Sequence, residues 1–77
     1  MDAMSALDIA ATSAAMPTTH IGPAIGRGAN YYSAIKSRGS VPRCDTMAAM
    51  ADVCGYRLAL VPRGDLPDTA LVIDPPR

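Results

Sequence analysis

The stretch from Ile21 to Gly26 restricts the fold more than any other part of the chain. Ile21 and Ile25 lie four residues apart, so they share one face of a helix. Gly22 lies on that same face and is small enough to let a second helix approach closely. Gly26 suits the left-handed backbone with which many helices end. The stretch therefore predicts a short helix followed by a tight turn.

A second helix is expected directly after this turn. Tyr32 and Ile35 lie three residues apart, and this spacing anchors one face of the second helix to the first helix. The pattern predicts a helix-turn-helix that holds its second helix outward as a rod. A helix has the width that the major groove of DNA admits, so the pattern points to double-stranded DNA as the ligand.

The segment from Thr18 to Gly55, about half of the chain, resembles the helix-turn-helix of phage-repressor/Cro-type (XRE-like) transcriptional regulators. The resemblance rests on Gly22, on the turn glycine Gly26 four residues later, and on the run from Ser37 to Met47. That run is similar to the junction between the family's recognition helix and its next helix. The resemblance implies a small repressor-like regulator that reads the major groove with residues 28–37 and acts as a homodimer.

The length of 77 residues fits one domain, spanning 1–77, with a marginal core. The chain has no Trp and no Phe but 14 alanines. Its core must therefore be built from small and aliphatic side chains, and closely packed short helices suit them best. A core this small also suggests support from a second subunit.

Hydrophobic periodicity predicts a mainly α fold, with a helical part over about 3–55. Met47, Met50, Ala51 and Cys54 show the spacing of one buried helix face. The four expected helices span about 3–15, 18–25, 29–37 and 43–54.

Side chains near the predicted helix ends indicate how those ends are capped. Ser5 and Asp8 resemble a capping box for the first helix. Thr18 or Thr19 is the expected N-cap of the second helix, and Gly55 is the expected C-cap of the fourth.

The pattern changes after Gly55. Tyr56–Val61 and Ala70–Ile73 are aliphatic runs bounded by prolines, and the residues between them favour turns. The sequence therefore predicts a C-terminal β-hairpin over about 56–74. Both faces of these strands are apolar, so the hairpin needs cover from the helices or from a partner, and we expect it to join two copies of the chain as a homodimer.

The net charge of zero gives no overall signal for nucleic acid, but the basic residues are unevenly distributed. Residues 27–43 contain no acid and four basic side chains, whereas the preceding 26 residues contain no Lys or Arg. These four are candidate phosphate contacts. The alternative is that these side chains cluster by chance on a solvent-exposed face and contact no phosphate. Lys36 is the first candidate for this alternative. The candidates are Arg27, Lys36, Arg38 and Arg43.

Asn30 is the best candidate for reading a base, because an amide can pair bidentately with adenine. It is alternatively a helix cap. Ser33 can hydrogen-bond several bases, Tyr31 is expected to face the sugar-phosphate, and Tyr32 is expected in the core. The full set of outward positions in the recognition helix is Gly28, Ala29, Asn30, Ser33, Ala34 and Ser37.

A further candidate phosphate contact lies at the start of the helix that precedes the recognition helix. Free N–H groups at a helix start suit a phosphate. The residues there are Thr18, Thr19 and His20, and the alternative is that the threonines only cap the helix.

Other classes of function find little support. Cys44 and Cys54 would lie about 15 Å apart on one helix, too far for a disulfide, so we expect reduced thiols. With His20 as the single histidine, neither a zinc site nor a catalytic set is expected, and the sequence indicates no enzyme and no cofactor. No signal peptide or membrane span is apparent, which favours a cytoplasmic protein.

Two alternatives to a regulator stay open from sequence. The chain could be the antitoxin of a toxin–antitoxin pair, with the hairpin and the proline-rich end holding a small protein partner. It could also be a protein-interaction module that binds no DNA, a reading that the neutral charge slightly favours.

Overall fold

The structure is a computed structural model that describes residues 1–75. Within them, the chain forms four α-helices and one short 3-10 turn. Helices α2 and α3 pack against each other, and α1 and α2 both contact α4. No helix in the described part of the chain is long and apolar enough to cross a bilayer. The elements are α1 (Ala3–Ser13), α2 (Thr18–Ala24), α3 (Tyr31–Arg38), α4 (Cys44–Val53) and the 3-10 turn (Arg63–Asp65).

Each helix contributes one large side chain to the centre of the core. Leu7 from α1, Ile21 from α2, Tyr32 from α3 and Met50 from α4 are almost wholly inaccessible to solvent. Burying each such side chain contributes about 1.5–3 kcal/mol relative to leaving it exposed. The predicted core position of Tyr32 is therefore confirmed.

Small side chains let the helices approach this centre. The prediction of a buried face on α4 is confirmed, since all four of its predicted residues are buried. In α1, alanines occupy most of the buried face. The remaining buried apolar residues are Ala6, Ala10, Ala11, Ile35, Met47, Ala51 and Cys54.

The turn between α2 and α3 has the geometry that its glycines predict. Gly26 has a φ of +80°, a conformation that side chains with a Cβ rarely adopt. Gly22 is buried, and the carbonyl of Gly28 lies where its Cβ would be. The amide of Arg27 donates to the carbonyl oxygen of Gly22 at 2.8 Å. The close approach predicted at Gly22 is therefore present, although it is made by the turn backbone before α3 as well as by α3 itself.

The capping prediction for α1 is wrong. The helix begins at Ala3, so Ser5 already lies inside its first turn. Asp2 is the N-cap, and its carboxylate accepts from the amide of Ser5 at 2.8 Å. This hydrogen bond is the main cause of a lowered pKa at Asp2. Asp8 is left free to face another helix.

Of the other two cap predictions, the one for the N-terminus of α2 is wrong and the one for the C-terminus of α4 is confirmed. Helix α2 begins directly after Pro17, so Thr18 and Thr19 lie in its first turn and no side-chain cap is formed. The prediction for Gly55 holds, because Gly55 (φ +80°) adopts a left-handed conformation after α4, and Gly39 (φ +65°) does the same at the end of α3.

The predicted C-terminal β-hairpin is not present. Residues 56–75 contain no strand, and the predicted hairpin loop forms the 3-10 turn Arg63–Asp65. The second run lies instead beside the start of the chain, where the amino group of Met1 donates to the Val72 carbonyl at 3.3 Å and the amide of Asp74 donates to the Met1 carbonyl at 3.0 Å. Apolar side chains from both runs pack against the helices, and within residues 1–75 the two backbones form no hydrogen bond with each other. The side chains that pack on the core are Tyr56, Leu58 and Leu71.

Candidate nucleic-acid interface

Helix α3 has one buried face and one open face. Tyr32 and Ile35 point into the core. Of the six positions predicted to face outward, Gly28, Ala29, Asn30, Ser33 and Ser37 are exposed and Ala34 is half-buried, and residues 28–30 lie in the turn before α3 because the helix begins at Tyr31 and not at the predicted residue 29. We call these six residues the α3 outer edge.

The C-terminal segment leaves the α3 outer edge uncovered. Residues 56–73 lie over α1 and α4, where they line an apolar groove together with Leu7, Met47 and Ala51. Asn30 and Ser33 are both exposed in the presence of this segment. The outer edge is therefore open to a ligand without any rearrangement of the tail.

Asn30 occupies the N-cap position of α3, but its side chain forms no cap hydrogen bond. Its backbone carbonyl accepts from the amide of Ala34 at 2.9 Å. Among residues 1–75 its amide side chain has no hydrogen-bond partner, so both its donor and its acceptor groups face solvent. The cap alternative is therefore wrong for the side chain, and base reading stays a prediction.

Three arginines line a shallow concavity beside α3. Arg27 from the turn, Arg38 from the end of α3 and Arg43 before α4 border it, together with Tyr31. The guanidinium of Arg27 lies 4.9 Å from the centre of the Tyr31 ring, within the range of a cation–π contact. Tyr31 is half-buried and packs on the core. The ring thus holds one arginine near the helix while both remain at the surface.

The charge of this concavity is only partly offset. Arg43 lies 3.6 Å from Asp45, and both side chains are mostly exposed. An exposed pair of this kind contributes about 0–1 kcal/mol and is easily exchanged for another anion. The concavity can therefore accept an anionic group such as a phosphate.

Lys36 has a different environment from the arginines. Its ammonium group lies 2.7 Å from the carboxylate of Asp8 on α1. The hydroxyl of Tyr32 donates to the same carboxylate at 2.5 Å. Lys36 is thus paired with Asp8, and its side chain is still 58% exposed, so the solvated position that the sequence also allowed is not contradicted.

Sequence reasoning assigned Asp8 to the cap of α1 and missed its contact with α3. Burial alone would raise its pKa, but the hydrogen bonds from Lys36 and Tyr32 lower it overall. The pKa of Tyr32 is raised, first by burial and then by its bond to Asp8. Asp8 therefore fixes the orientation of α3 relative to α1. The available signal was a lone acid in the middle of an otherwise uncharged helix.

The three residues at the start of α2 are accessible to differing degrees. Thr19 and His20 are exposed, and Thr18 is half-buried. The amide of His20 donates to the Pro17 carbonyl at 2.9 Å. A phosphate contact there stays a prediction.

The two cysteines are both free thiols, Cys44 exposed and Cys54 buried. Burial raises the pKa of the Cys54 thiol. In the described residues no three His, Cys, Asp or Glu side chains lie close enough together to hold a metal ion.

Comparison with known proteins gives no further guide. No known protein family, curated protein or solved structure gives a significant match to the chain.

Proposed function

We propose that this chain is a sequence-specific double-stranded DNA-binding protein, acting as a small repressor-like regulator of Cro type. The observation that carries the proposal is the α3 outer edge. Its exposed polar side chains lie beside a concavity lined by three arginines, and neither the core nor the C-terminal segment covers these side chains.

Helix α3 enters the major groove in this proposal. The free amide of Asn30 matches the donor and acceptor of an adenine edge, and Ser33 and Ser37 can bond to several bases. Ala29 and Ala34 offer methyl groups that can contact thymine. Because Tyr32 is locked in the core and bonded to Asp8, the helix is presented in one orientation.

The arginines supply the contacts that are independent of sequence. Arg27, Arg38 and Arg43 flank the helix and can each neutralise a phosphate. Each such contact adds about 0.9 to the salt dependence of binding, so three give a slope of about 2.7. Lys36 is excluded from this estimate because its charge is paired with Asp8. With a net charge of zero, the attraction to DNA must arise from this local cluster.

A single α3 reads one half-site only. Two copies could place their helices about 34 Å apart, one turn of DNA, and read a near-palindromic site. Binding would then block or remodel a promoter by occupancy. The hairpin that was expected to join the copies is not formed, so a dimer requires another surface.

The test compares two exposed residues with different roles. A preferred site is first selected from random duplexes with the wild-type protein, and binding is then measured by fluorescence anisotropy. Asn30→Ala should weaken binding to the selected site by about 5- to 150-fold, equivalent to about 1–3 kcal/mol, and leave random duplex unchanged. Arg38→Ala should weaken binding to both and lower the salt slope by about 0.9.

Two results of these binding measurements would contradict the proposal. Equal losses on both duplexes for Asn30→Ala would reject base reading by α3. Failure of the wild-type protein to bind any duplex at low salt and micromolar concentration would reject DNA binding altogether.

A second candidate is a protein-interaction module without DNA binding. It is favoured by the exposed apolar residues of the C-terminal segment, such as Leu60 and Val61, and by the zero net charge. Absence of any mobility shift would support it. Co-purification with a small toxic protein, together with DNA binding, would instead support the antitoxin alternative.

A further inference from the structure

Two basic side chains flank the α3 outer edge from opposite sides. Lys36 and Arg38 lie two positions apart on α3, with Ser37 of the outer edge between them. Two residues turn a helix through about 200°, so the two side chains leave it on opposite flanks. Arg38 borders the concavity of the three arginines, whereas Lys36 reaches toward α1. The outer edge therefore has a cation on each side.

The two flanks would face different strands of a bound duplex. The major groove is about 12 Å wide, close to the diameter of a helix, so a helix within it has one sugar-phosphate backbone on each side. The three arginines of the concavity share the flank of Arg38. The flank beside α1 holds Lys36, the single lysine of the chain, and residues 1–26 contain no Lys or Arg. Lys36 is therefore the cation placed to meet the second backbone.

Asp8 already holds this ammonium group. One carboxylate oxygen of Asp8 lies 2.7 Å from Nζ of Lys36. The other oxygen accepts from the hydroxyl of Tyr32 at 2.5 Å, and Tyr32 is buried in the core. The carboxylate is thus fixed in place and takes the position on Lys36 that a phosphate oxygen would need.

This pair resists exchange more than the pair of Arg43 and Asp45. The charged groups of Arg43 and Asp45 are 3.6 Å apart, and Asp45 is 72% exposed, so water can replace its partner. The Asp8 side chain is only 35% exposed. Loss of Lys36 would leave a partly buried carboxylate with incomplete solvation, which is costly. A phosphate can therefore displace Asp45 from Arg43 more easily than it can displace Asp8 from Lys36.

We propose that Asp8 is an internal counterion that withholds Lys36 from the DNA backbone and so limits sequence-independent binding. With Lys36 held, the protein neutralises phosphates on one flank of α3 only. Removal of the Asp8 charge frees Lys36 to neutralise a phosphate on the other flank. This inference deepens the proposed function and rests on it.

A double-mutant cycle on Asp8 and Lys36 tests the proposal, because it isolates the coupling between the two side chains. The salt dependence of binding to random duplex is measured by fluorescence anisotropy for the wild type, Asp8→Asn, Lys36→Gln and the double variant. Asp8→Asn should raise the slope from about 2.7 to about 3.6. With equal affinities at 1 M salt, this change corresponds to roughly 8-fold tighter binding at 0.1 M. Lys36→Gln should leave the slope at about 2.7 when Asp8 is present and lower it by about 0.9 in the Asp8→Asn background.

Asp68→Asn is the matched control, because it changes the net charge by the same amount as Asp8→Asn. Asp68 is exposed in the C-terminal segment, and its replacement should leave the slope at about 2.7. Circular dichroism at 25 °C checks that each variant retains its helices. If Asp8→Asn loses them, Lys36→Gln alone decides, because Lys36 is mostly exposed and its replacement spares the core.

Three results would overturn the proposal while leaving DNA binding intact. The first is an equal slope for Asp8→Asn and the wild type. The second is a slope lowered by about 0.9 in Lys36→Gln alone, because Lys36 would then already contact a phosphate in the wild type. The third is a raised slope in the double variant, which would assign the effect to the Asp8 charge without Lys36. Absence of binding by every protein, wild type included, would reject the proposed function and this inference with it.

Discussion

Gly22→Ala perturbs the contact that holds α3 in place. Gly22 lies inside α2 and is buried against the turn. An added Cβ would clash with the carbonyl oxygen of Gly28 and lie 3.0 Å from the Cβ of Tyr31. The Gly28 oxygen belongs to the backbone, so no side-chain rotation can relieve the clash. The turn itself must move.

The magnitude follows from opposing effects. Replacing Gly by Ala inside a helix gains about 1 kcal/mol. Overpacking costs about 1–3 kcal/mol, and the hydrogen bond from Arg27 to Gly22, at 2.8 Å, is worth about 1 kcal/mol if the turn shifts. We expect a net destabilisation of about 1–3 kcal/mol, equivalent to a Tm lower by about 4–24 °C for a domain of this size.

Thermal and urea denaturation followed by circular dichroism provide the assay. Gly28→Ala is the matched control, because no atom lies within 4 Å of the added Cβ. Its stability should differ from wild type by less than about 0.5 kcal/mol. A Gly22→Ala protein as stable as wild type would refute the argument that close packing at this glycine holds the two helices together.

Two further predictions concern titratable side chains. Asp8→Asn should lower the free energy of unfolding by about 1–2 kcal/mol at pH 7, a value discounted for the exposure of Lys36. Because the folded pKa of Asp8 is lowered, its contribution is present above about pH 4 and is lost as the pH falls through the folded pKa, so urea midpoints of variant and wild type should converge as the pH falls below about 4; an unchanged gap would contradict this. In the native protein, an aromatic disulfide reagent should react quickly with Cys44 only, since Cys54 is buried and its thiol pKa is raised. Two fast thiols before denaturation, or a fast thiol in Cys44→Ser, would contradict the assignment.

The helical part of the fold could be predicted from sequence because its signals are local. The four helices follow from periodicity within windows of about ten residues, and the left-handed glycines Gly26, Gly39 and Gly55 mark their ends. The inward position of Tyr32 follows from its spacing to Ile35. The same spacing predicted the outward positions, since it fixes which face of α3 remains for solvent.

The C-terminal segment could not be predicted in this way. A short aliphatic run forms a β-strand only if a second backbone lies alongside it. Here the run Ala70–Ile73 lies beside Met1, which is about 70 residues away in sequence, and not beside the run Tyr56–Val61. The pairing of Asp8 with Lys36 joins residues 28 positions apart. Long-range contacts of this kind depend on how the helices dock, which no local pattern encodes.

The central claim is that the α3 outer edge is the surface that meets DNA. Its most direct test is to map backbone amide chemical shifts by NMR while titrating the protein with its selected duplex. We predict that the largest changes fall on Asn30, Ser33, Ser37 and Arg38, with little change in α1. Changes confined to residues 56–73, or no changes at saturating duplex, would contradict the account.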